Sequence, residues 1–392
     1  MNLQRVLSAV LVSLGPTCVA CTSQPPSSAD PVAKPGAPAT QPTQAAASPA
    51  PAPKLPPGTV VFVSERDGNP ELYAVGSDGS GLQRLTNEPG GNYPGPIAPS
   101  ADRLLMLVSH DDAAGHREQM NLRIWSNGKA GPGRPLGPLT GKVRNPVWAA
   151  DGSALVFESN AQSFRDLYRV ETAPGSPAPT RLTDNREGNF EPSIRHDGRV
   201  VFVSSREGSP MIFSMAADGS DVQRLTGPPA HCSAPKWSPD GSMIAFVRSG
   251  PRSSELHVMR ADGSEQRPLR QTPSGDGTDR EYTWSPSGQS IALTHIGKDS
   301  TVVSRIDLKR GLEVVLSDPE ELAQQPAWMG SDAYLMWSAT REGNADLFAS
   351  ELATGYRVQL THHSAPDWLP RWLGPGSPND RPTPAQPQPS GP

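Results

Sequence analysis

Cysteine, positive charge and long hydrophobic runs are all scarce in this chain of 392 residues. Its three cysteines, Cys18, Cys21 and Cys232, are too few for a disulfide framework. The net charge of −5 excludes the basic surface of a nucleic-acid-binding protein. The longest apolar run falls well short of the roughly 18 residues that a membrane-spanning helix needs, so the sequence predicts no such helix.

Catalytic and metal-binding motifs are missing as well. The chain contains no G-x-S-x-G nucleophile elbow, no H-E-x-x-H pair and no EF-hand loop. Cys18 and Cys21 form a C-x-x-C spacing only in the leader, and the eight histidines are scattered. The sequence therefore predicts no catalytic residue, no metal site and no cofactor.

The N-terminus has the pattern of an export signal. Arg5 precedes the apolar stretch 6–14, whose length is typical of the hydrophobic region of a signal peptide. Small residues before Cys21 are similar to a bacterial lipoprotein signal, which predicts a signal peptide over 1–20 and lipidation of Cys21. Cleavage at a nearby alanine by an ordinary signal peptidase is the alternative.

Proline is concentrated at the two ends of the chain. Residues 22–57 contain 11 prolines, and residues 374–392 contain 7. Such segments bury too little apolar surface to offset their ordering entropy. We therefore expect a disordered tether over 21–58 and a disordered tail over 374–392, with one large domain over 59–373 between them.

That central region is built from one repeated unit. The unit ends in a leucine or its near-equivalent, at Leu85, Leu139, Leu182, Leu225, Leu269, Leu316 and Leu360. Each unit contains four short apolar runs separated by turn signals such as Pro-Asp-Gly and Asp-Gly. Four antiparallel strands repeated every 40–50 residues or so are typical of a propeller blade, so the sequence predicts an all-β, seven-bladed β-propeller.

The starts of the units are displaced relative to their ends. The start of a unit is marked by a tryptophan or isoleucine, which occurs at Ile97, Trp148, Ile194, Trp237, Trp284, Trp328 and Trp372. The first unit lacks this start, and the C-terminus supplies a spare one. We expect the strand around Trp372 to pair beside residues 60–63, which would close the ring and protect its edges.

The motifs "WSPDG", "SERDGNPELY", "SSREGSPMIF" and "LQRLT" resemble TolB-type repeats across nearly all of 59–373. The resemblance implies a TolB-like propeller. TolB is a periplasmic protein of the Tol–Pal system that binds the peptidoglycan-associated lipoprotein through its propeller. The pattern departs from TolB in two ways, because a tether replaces the preceding α/β domain and seven units replace six.

Candidate binding residues lie in and beside the loops that join one blade to the next. Such loops gather around the mouth of a propeller channel and could receive a peptide segment of a partner. The candidates are Tyr93, Arg144, Asn145, Glu191, Lys236, Asp279, Glu281, Asp367 and Arg371.

The leading interpretation is a non-enzymatic scaffold of the cell envelope, periplasmic or anchored to the outer membrane through its lipid. We expect a monomer that binds an envelope protein or peptide at the loop face and binds no nucleic acid. A carbohydrate lyase or hydrolase with a site at the channel mouth is the alternative, and a structural spacer is the third interpretation.

Overall fold

All the regular structure in the described residues is β-strand, which confirms the predicted all-β class. The computed structural model describes residues 55–87, 91–99, 103–112, 115–126, 129–130, 133–136, 141–162, 164–228, 231–270 and 277–374. Within these ranges no helix is long and apolar enough to cross a membrane. The predicted signal peptide, Cys21, most of the predicted tether and the tail after residue 374 lie outside the described residues.

The strands form successive four-stranded antiparallel sheets, which we call blades A to G. Blade A contains β1 (Thr59–Ser64), β2 (Glu71–Gly76) and β3 (Gln83–Arg84), and takes β29 (Asp367–Gly374) from the other end of the chain. Blade B contains β4 (Gly91–Ile97), β5 (Arg103–Asp112), β6 (Gly115–Ser126) and β8 (Arg134–Pro135), with β7 (Lys129–Ala130) paired to the end of β6.

The remaining blades repeat this order more regularly. Blade C contains β9 (Val143–Trp148), β10 (Ala154–Gln162), β11 (Phe164–Glu171) and β12 (Thr180–Arg181). Blade D contains β13 (Asn189–Ile194), β14 (Val200–Ser204), β15 (Met211–Met215) and β16 (Gln223–Arg224). Blade E contains β17 (His231–Trp237), β18 (Met243–Ser249), β19 (Ser254–Arg260) and β20 (Arg267–Pro268).

Blades F and G follow the same order. Blade F contains β21 (Thr278–Trp284), β22 (Ser290–Ile296), β23 (Thr301–Asp307) and β24 (Leu312–Val315). Blade G contains β25 (Leu322–Trp328), β26 (Tyr334–Arg341), β27 (Asn344–Glu351) and β28 (Tyr356–Gln359). Single parallel pairs, Ser254 with Thr278 and Thr301 with Leu322, link blades E, F and G into one continuous sheet.

The Asp-Gly-Ser turns predicted from the sequence end the third strand of several blades. At one of them Asp218 Oδ1 accepts hydrogen bonds from the backbone N–H of Ser220 at 2.9 Å and from its hydroxyl at 2.6 Å. Gly219 between them has φ 89°, a conformation that favours glycine. The same Asp–Ser pairing ends the third strand from Asp78 to Ser80 and from Asp262 to Ser264, and it also occurs between the first two strands of blade C, from Asp151 to Ser153.

The hydroxyl residue that follows the closing leucine of a unit ties the outer strand to the third strand. Thr361 Oγ1 accepts the N–H of Leu347 at 3.0 Å, and the same hydroxyl lies 3.3 Å from the carboxylate of Asp346. Because the Leu347 N–H is buried, it would otherwise be left without a partner. The equivalent bonds run to Thr86, Thr183, Thr226 and Ser317.

Apolar clusters lie between neighbouring blades, as the predicted repeat requires. The cluster between blades E and F joins Val258 to Trp284 and Ile291, and all three are buried. One such cluster follows another from A to G, and a further cluster joins Met336 and Leu347 of blade G to Val60 of blade A. A single blade cannot bury both of its faces, so the stability comes from these shared interfaces.

The two ends of the described chain meet in blade A. β29 pairs antiparallel with β1, with Trp372 opposite Val60 and Trp368 opposite Val63, so the predicted pairing of the Trp372 segment with this strand is confirmed. A buried ion pair reinforces it, because Arg66 Nη2 lies 3.0 Å from both carboxylate oxygens of Asp367.

Candidate functional site

The predicted binding residues all lie on the first strand of a blade rather than in the loops before it. Since the blade-connecting loops enter these strands, their first residues share one face of the propeller, which we call the loop face. Tyr93 lies on β4, Arg144 and Asn145 on β9, Glu191 on β13, Lys236 on β17, Asp279 and Glu281 on β21, and Asp367 and Arg371 on β29.

A β-bulge interrupts each of these strands at the same point. At the bulges the register slips by one residue, and in every blade except B a residue other than glycine takes a positive φ, for example 53° at Glu191 and 46° at Glu281. Bulges re-aim side chains and are frequent next to binding sites. The other residues with this conformation at the bulges are Asn145, Ala234, Gln325 and Leu369.

Side chains at the bulges bind the backbone of the next blade. Glu191 Oε2 accepts the N–H of Ala234 at 2.6 Å, and Glu281 Oε2 accepts the N–H of Gln325 at 3.0 Å. Gln325 Oε1 in turn accepts the N–H of Leu369 at 2.8 Å. Glu191 and Glu281 therefore hold the first strands of neighbouring blades in a fixed relation.

Two members of this arrangement were missed by the sequence reasoning. Gln325 was not selected, although its position before a proline matches that of Glu191. Glu158, on the second strand of blade C, is fully buried, and its Oε1 accepts both the Asn145 side-chain amide and the N–H of Glu191, each at 2.6 Å. The motif contains no signal for Glu158, because the equivalent position in other blades is serine, threonine or an apolar residue.

Burial dominates the electrostatics of these carboxyl groups. It raises the pKa of Glu158, Glu191 and Glu281 above the usual glutamate value, and the hydrogen bonds they accept oppose the shift. For Glu191 the nearby charge of Glu158 raises the pKa further.

Asp279 and Asp367 are enclosed by the protein, with exposures of 2% and 0%. Asp279 Oδ1 lies 2.6 Å from Arg270 Nη1 and 2.8 Å from His295 Nδ1, and its other oxygen accepts the N–H of Leu256. Asp367 is held by Arg66. Both carboxylates therefore already have partners inside the domain.

Lys236 and Arg371 occupy equivalent positions, one residue before the tryptophan of their strands. Lys236 Nζ donates to the carbonyl of Tyr282 at 2.5 Å and lies 4.7 Å from the centre of that ring. Arg371 Nη1 donates to the carbonyl of Pro370 at 3.0 Å. Both side chains are half-buried on the innermost strands.

The remaining candidates are Tyr93, Arg144 and Asn145. The half-buried Tyr93 ring packs edge-on against Trp368 with the ring centres 5.8 Å apart, which joins blade B to β29. Arg144 is half-buried on β9, and the exposed Asn145 follows it. These three residues put aromatic, cationic and amide groups on adjacent first strands.

Groups of side chains suited to a metal ion do not occur in the described ranges. Cys232 is a buried free thiol whose pKa is raised by burial. A cleft of 370 Å³ lies away from the first strands, between blades C and D, where Arg169 and Glu171 pair with each other at 3.0 Å.

The repeated antiparallel blades define the chain as a β-propeller protein. The profile of the family described as the TolB beta propeller domain matches residues 129–328. The chain belongs to this family.

Relatives of known sequence match over part of the chain. An uncharacterised protein of Agrobacterium fabrum, Atu1656, is 31% identical over 154 residues, covering 37% of this chain and 52% of the relative. The Tol-Pal system protein TolB of Francisella tularensis is 23% identical over 231 residues, covering 58% of this chain and 52% of the relative. The chain therefore spans about half the length of these relatives.

Among solved structures, an oligogalacturonate lyase from Vibrio parahaemolyticus matches with a TM-score of 0.58 and 14% identity. The match covers 80% of this chain and 87% of the lyase. At this identity the likeness establishes the fold alone, because one fold supports unrelated functions.

Proposed function

We propose that this protein is a non-enzymatic binding scaffold of the cell envelope that engages a protein or peptide at the loop face. The observation that carries the proposal is the set of first strands, in which bulge side chains accept backbone N–H groups of the next blade and so fix the frame, while other side chains differ from blade to blade. A surface already held in its binding geometry loses little entropy when a partner binds. The membership of the TolB propeller family and the likeness to a Tol-Pal system protein support a protein partner.

The domain behind this surface is a closed seven-bladed ring. Support comes from the seven interblade clusters, which follow in cyclic order and return from blade G to blade A. The pairing of β29 with β1 agrees with closure. A ring with this closure acts as a monomer, because no long sheet edge is left for a second copy.

Export and lipidation complete the proposal. The apolar leader and the small residues before Cys21 favour a periplasmic protein attached to the membrane through a lipid, with 21–58 as its tether. Radioactive palmitate should label the wild-type protein in cells, and Cys21→Ala should abolish the label. Labelling that survives this substitution would reject the lipid anchor.

The lyase alternative has less support. It relies on the likeness of fold to the oligogalacturonate lyase, and fold alone does not transfer chemistry. No specific set of side chains in the described residues favours it over binding.

Site-specific photo-cross-linking tests the binding face. A photoreactive amino acid would replace the exposed Lys142 or His231 on the loop face, and the matched controls would replace the exposed Asp218 or Asp262 in turns at the opposite ends of the strands. We expect a discrete cross-linked product in intact cells from the loop-face positions only. Equal products from both faces, or none from the loop face, would contradict the proposal.

A further inference from the structure

Two cationic side chains reach the same region from different blades. Lys236 lies on β17 of blade E and Arg371 on β29 of blade A, at matching register positions opposite Ala245 and Val61. First strands line the axis of a propeller, so residues at equivalent positions in separated blades converge there. Burial, and then the charge of Arg371, lowers the pKa of Lys236 to about 8, which agrees with this convergence.

Neither cation has a carboxylate partner. Lys236 contacts the carbonyl and the ring of Tyr282, and Arg371 donates to the carbonyl of Pro370. In the described ranges no carboxylate oxygen lies within ion-pair distance of either group. Their nitrogen atoms therefore keep donor capacity for a further acceptor.

The nearest acidic groups are already engaged. The charges of Glu191 and Glu281 act to raise the pKa of Lys236, and the charge of Glu281 acts to raise that of Arg371. These two carboxylates, however, already accept the N–H groups of Ala234 and Gln325. They moderate the local field without forming ion pairs with the cations.

Two other cations near the first strands do have carboxylate partners. The side chains of Arg66 and Arg270 are also largely shielded from solvent, and each forms an ion pair with a buried aspartate, Arg66 with Asp367 and Arg270 with Asp279. A shielded charge without an ionic partner is costly, whereas an ionic hydrogen bond to a carboxylate offsets that cost. The contrast indicates that the partner of Lys236 and Arg371 comes from outside the chain.

We propose that Lys236 and Arg371 form an anion site in the channel that takes a carboxylate group of an acidic peptide segment. This inference rests on the proposed function, because a protein partner supplies the peptide. A singly charged carboxylate suits the site better than a doubly charged phosphate, since Glu191 and Glu281 already bring negative charge to the region.

A binding measurement with defined probes tests this site. The probes are a fluorescein-labelled decapeptide of alternating glycine and aspartate, the same peptide with asparagine, and trigalacturonate as a carboxylated sugar. We expect the wild-type full chain to bind the aspartate peptide at least about tenfold more tightly than the asparagine peptide.

Substitutions then assign the binding to the two cations. Arg371→Gln and Lys236→Met should each weaken binding of the aspartate peptide by about tenfold or more. Lys236→Arg should retain binding within about threefold because it keeps the charge. Arg267→Gln, which removes an exposed arginine on the outer strand β20, is the matched control and should leave binding unchanged.

Several outcomes would overturn the site. Equal binding of the two peptides, or full binding by Arg371→Gln and Lys236→Met, would reject it, and tighter binding of trigalacturonate would reject the peptide as its ligand. A thermal melt shows whether each variant folds; if one does not, the other and Lys236→Arg decide the result.

The anion site and the proposed function can fail separately. If loop-face cross-links persist in Arg371→Gln, the function stands and the anion site is wrong. If the acidic peptide binds through both cations but loop-face positions give no cross-link, the site stands and the proposed partner surface is wrong.

Discussion

Residue types recur at the interfaces between blades, whereas they vary at the neighbouring position on the first strands. At the interfaces the same residue types recur, and Trp148, Trp237, Trp284 and Trp328 are each buried to a similar extent. Several of these indoles donate to a carbonyl of the preceding blade, as Trp284 does to Lys236 at 3.1 Å. One residue away, the position that faces the channel changes from valine to serine, lysine, threonine, alanine and arginine along the chain.

This difference separates the part of the repeat that builds the fold from the part that is free to bind. Interface positions are constrained by packing against two neighbours, so they repeat. The positions before the tryptophans are only half-buried and do not share one packing contact, so each blade can carry a different group there. The predictions below test that separation.

The largest effect is expected from removing β29. A chain that ends at Pro366 loses the partner strand of β1 and the Arg66–Asp367 ion pair, which leaves an open edge and an incomplete blade A. We expect this chain to lose its cooperative thermal transition and to aggregate. A chain that ends at Gly374 keeps β29 and is the control, with a Tm within about 2 °C of the wild type.

A cooperative, wild-type transition in the shorter chain would show that the ring does not depend on β29. Calorimetry and size-exclusion chromatography of both chains give the comparison directly.

The next effect comes from an indole at a blade interface. Trp284 is 8% exposed, and Trp284→Ala should lower the free energy of unfolding by about 3–5 kcal/mol. Trp284→Phe keeps most of the packing and loses the hydrogen bond to Lys236, so we expect a smaller loss. Chemical denaturation measures both, and an alanine variant within 1 kcal/mol or so of the wild type would contradict the packing argument.

A smaller effect is expected at the threonine that follows the closing leucine of blade G, Thr361. Thr361→Val removes the acceptor of the buried Leu347 N–H and should cost about 1–3 kcal/mol. Thr361→Ser keeps the hydroxyl and should cost clearly less. If the valine and serine variants are equally stable in denaturant titrations, the hydroxyl does not stabilise the blade.

The smallest effect concerns a buried carboxyl group and its dependence on pH. Burial raises the pKa of Glu281 above its usual value of 4.5, so the folded protein holds this proton more tightly than the unfolded chain. Ionisation as the pH rises above 4.5 therefore lowers the free energy of unfolding. Glu281→Gln keeps an acceptor for the Gln325 N–H and should reduce this fall.

Denaturation curves at several pH values up to about 7 measure the slope. Glu187→Gln changes an exposed carboxyl group and should leave the slope as it is in the wild type. A steeper fall in Glu281→Gln would reverse the assigned sign.

The fold could be predicted from sequence because its determinants are local and repeated. The Asp-Gly-Ser turns, the "RLT" threonines and the tryptophans each satisfy a backbone or packing requirement within a few residues or in the next blade. The displaced start at Trp372 indicated which strand pairs with β1. Repetition made each of these signals visible several times.

The candidate site could be predicted only in part. Sequence reasoning selected Lys236 and Arg371 by their position before a tryptophan, but it could not distinguish them from Asp279 and Asp367, which are buried in ion pairs. Nor could it find Glu158, whose contacts cross from one blade to the next. Whether a charged side chain is already paired depends on distances between blades, which no single repeat encodes.

The pairing of Arg66 with Asp367 spans 301 residues of chain. At a translation rate of 5–20 residues per second, roughly 15–60 s separate the synthesis of these two residues. During that interval β1 has no partner on its inner side, so an unpaired strand edge stays exposed to other chains. The synthesis of β29 therefore ends this vulnerable period.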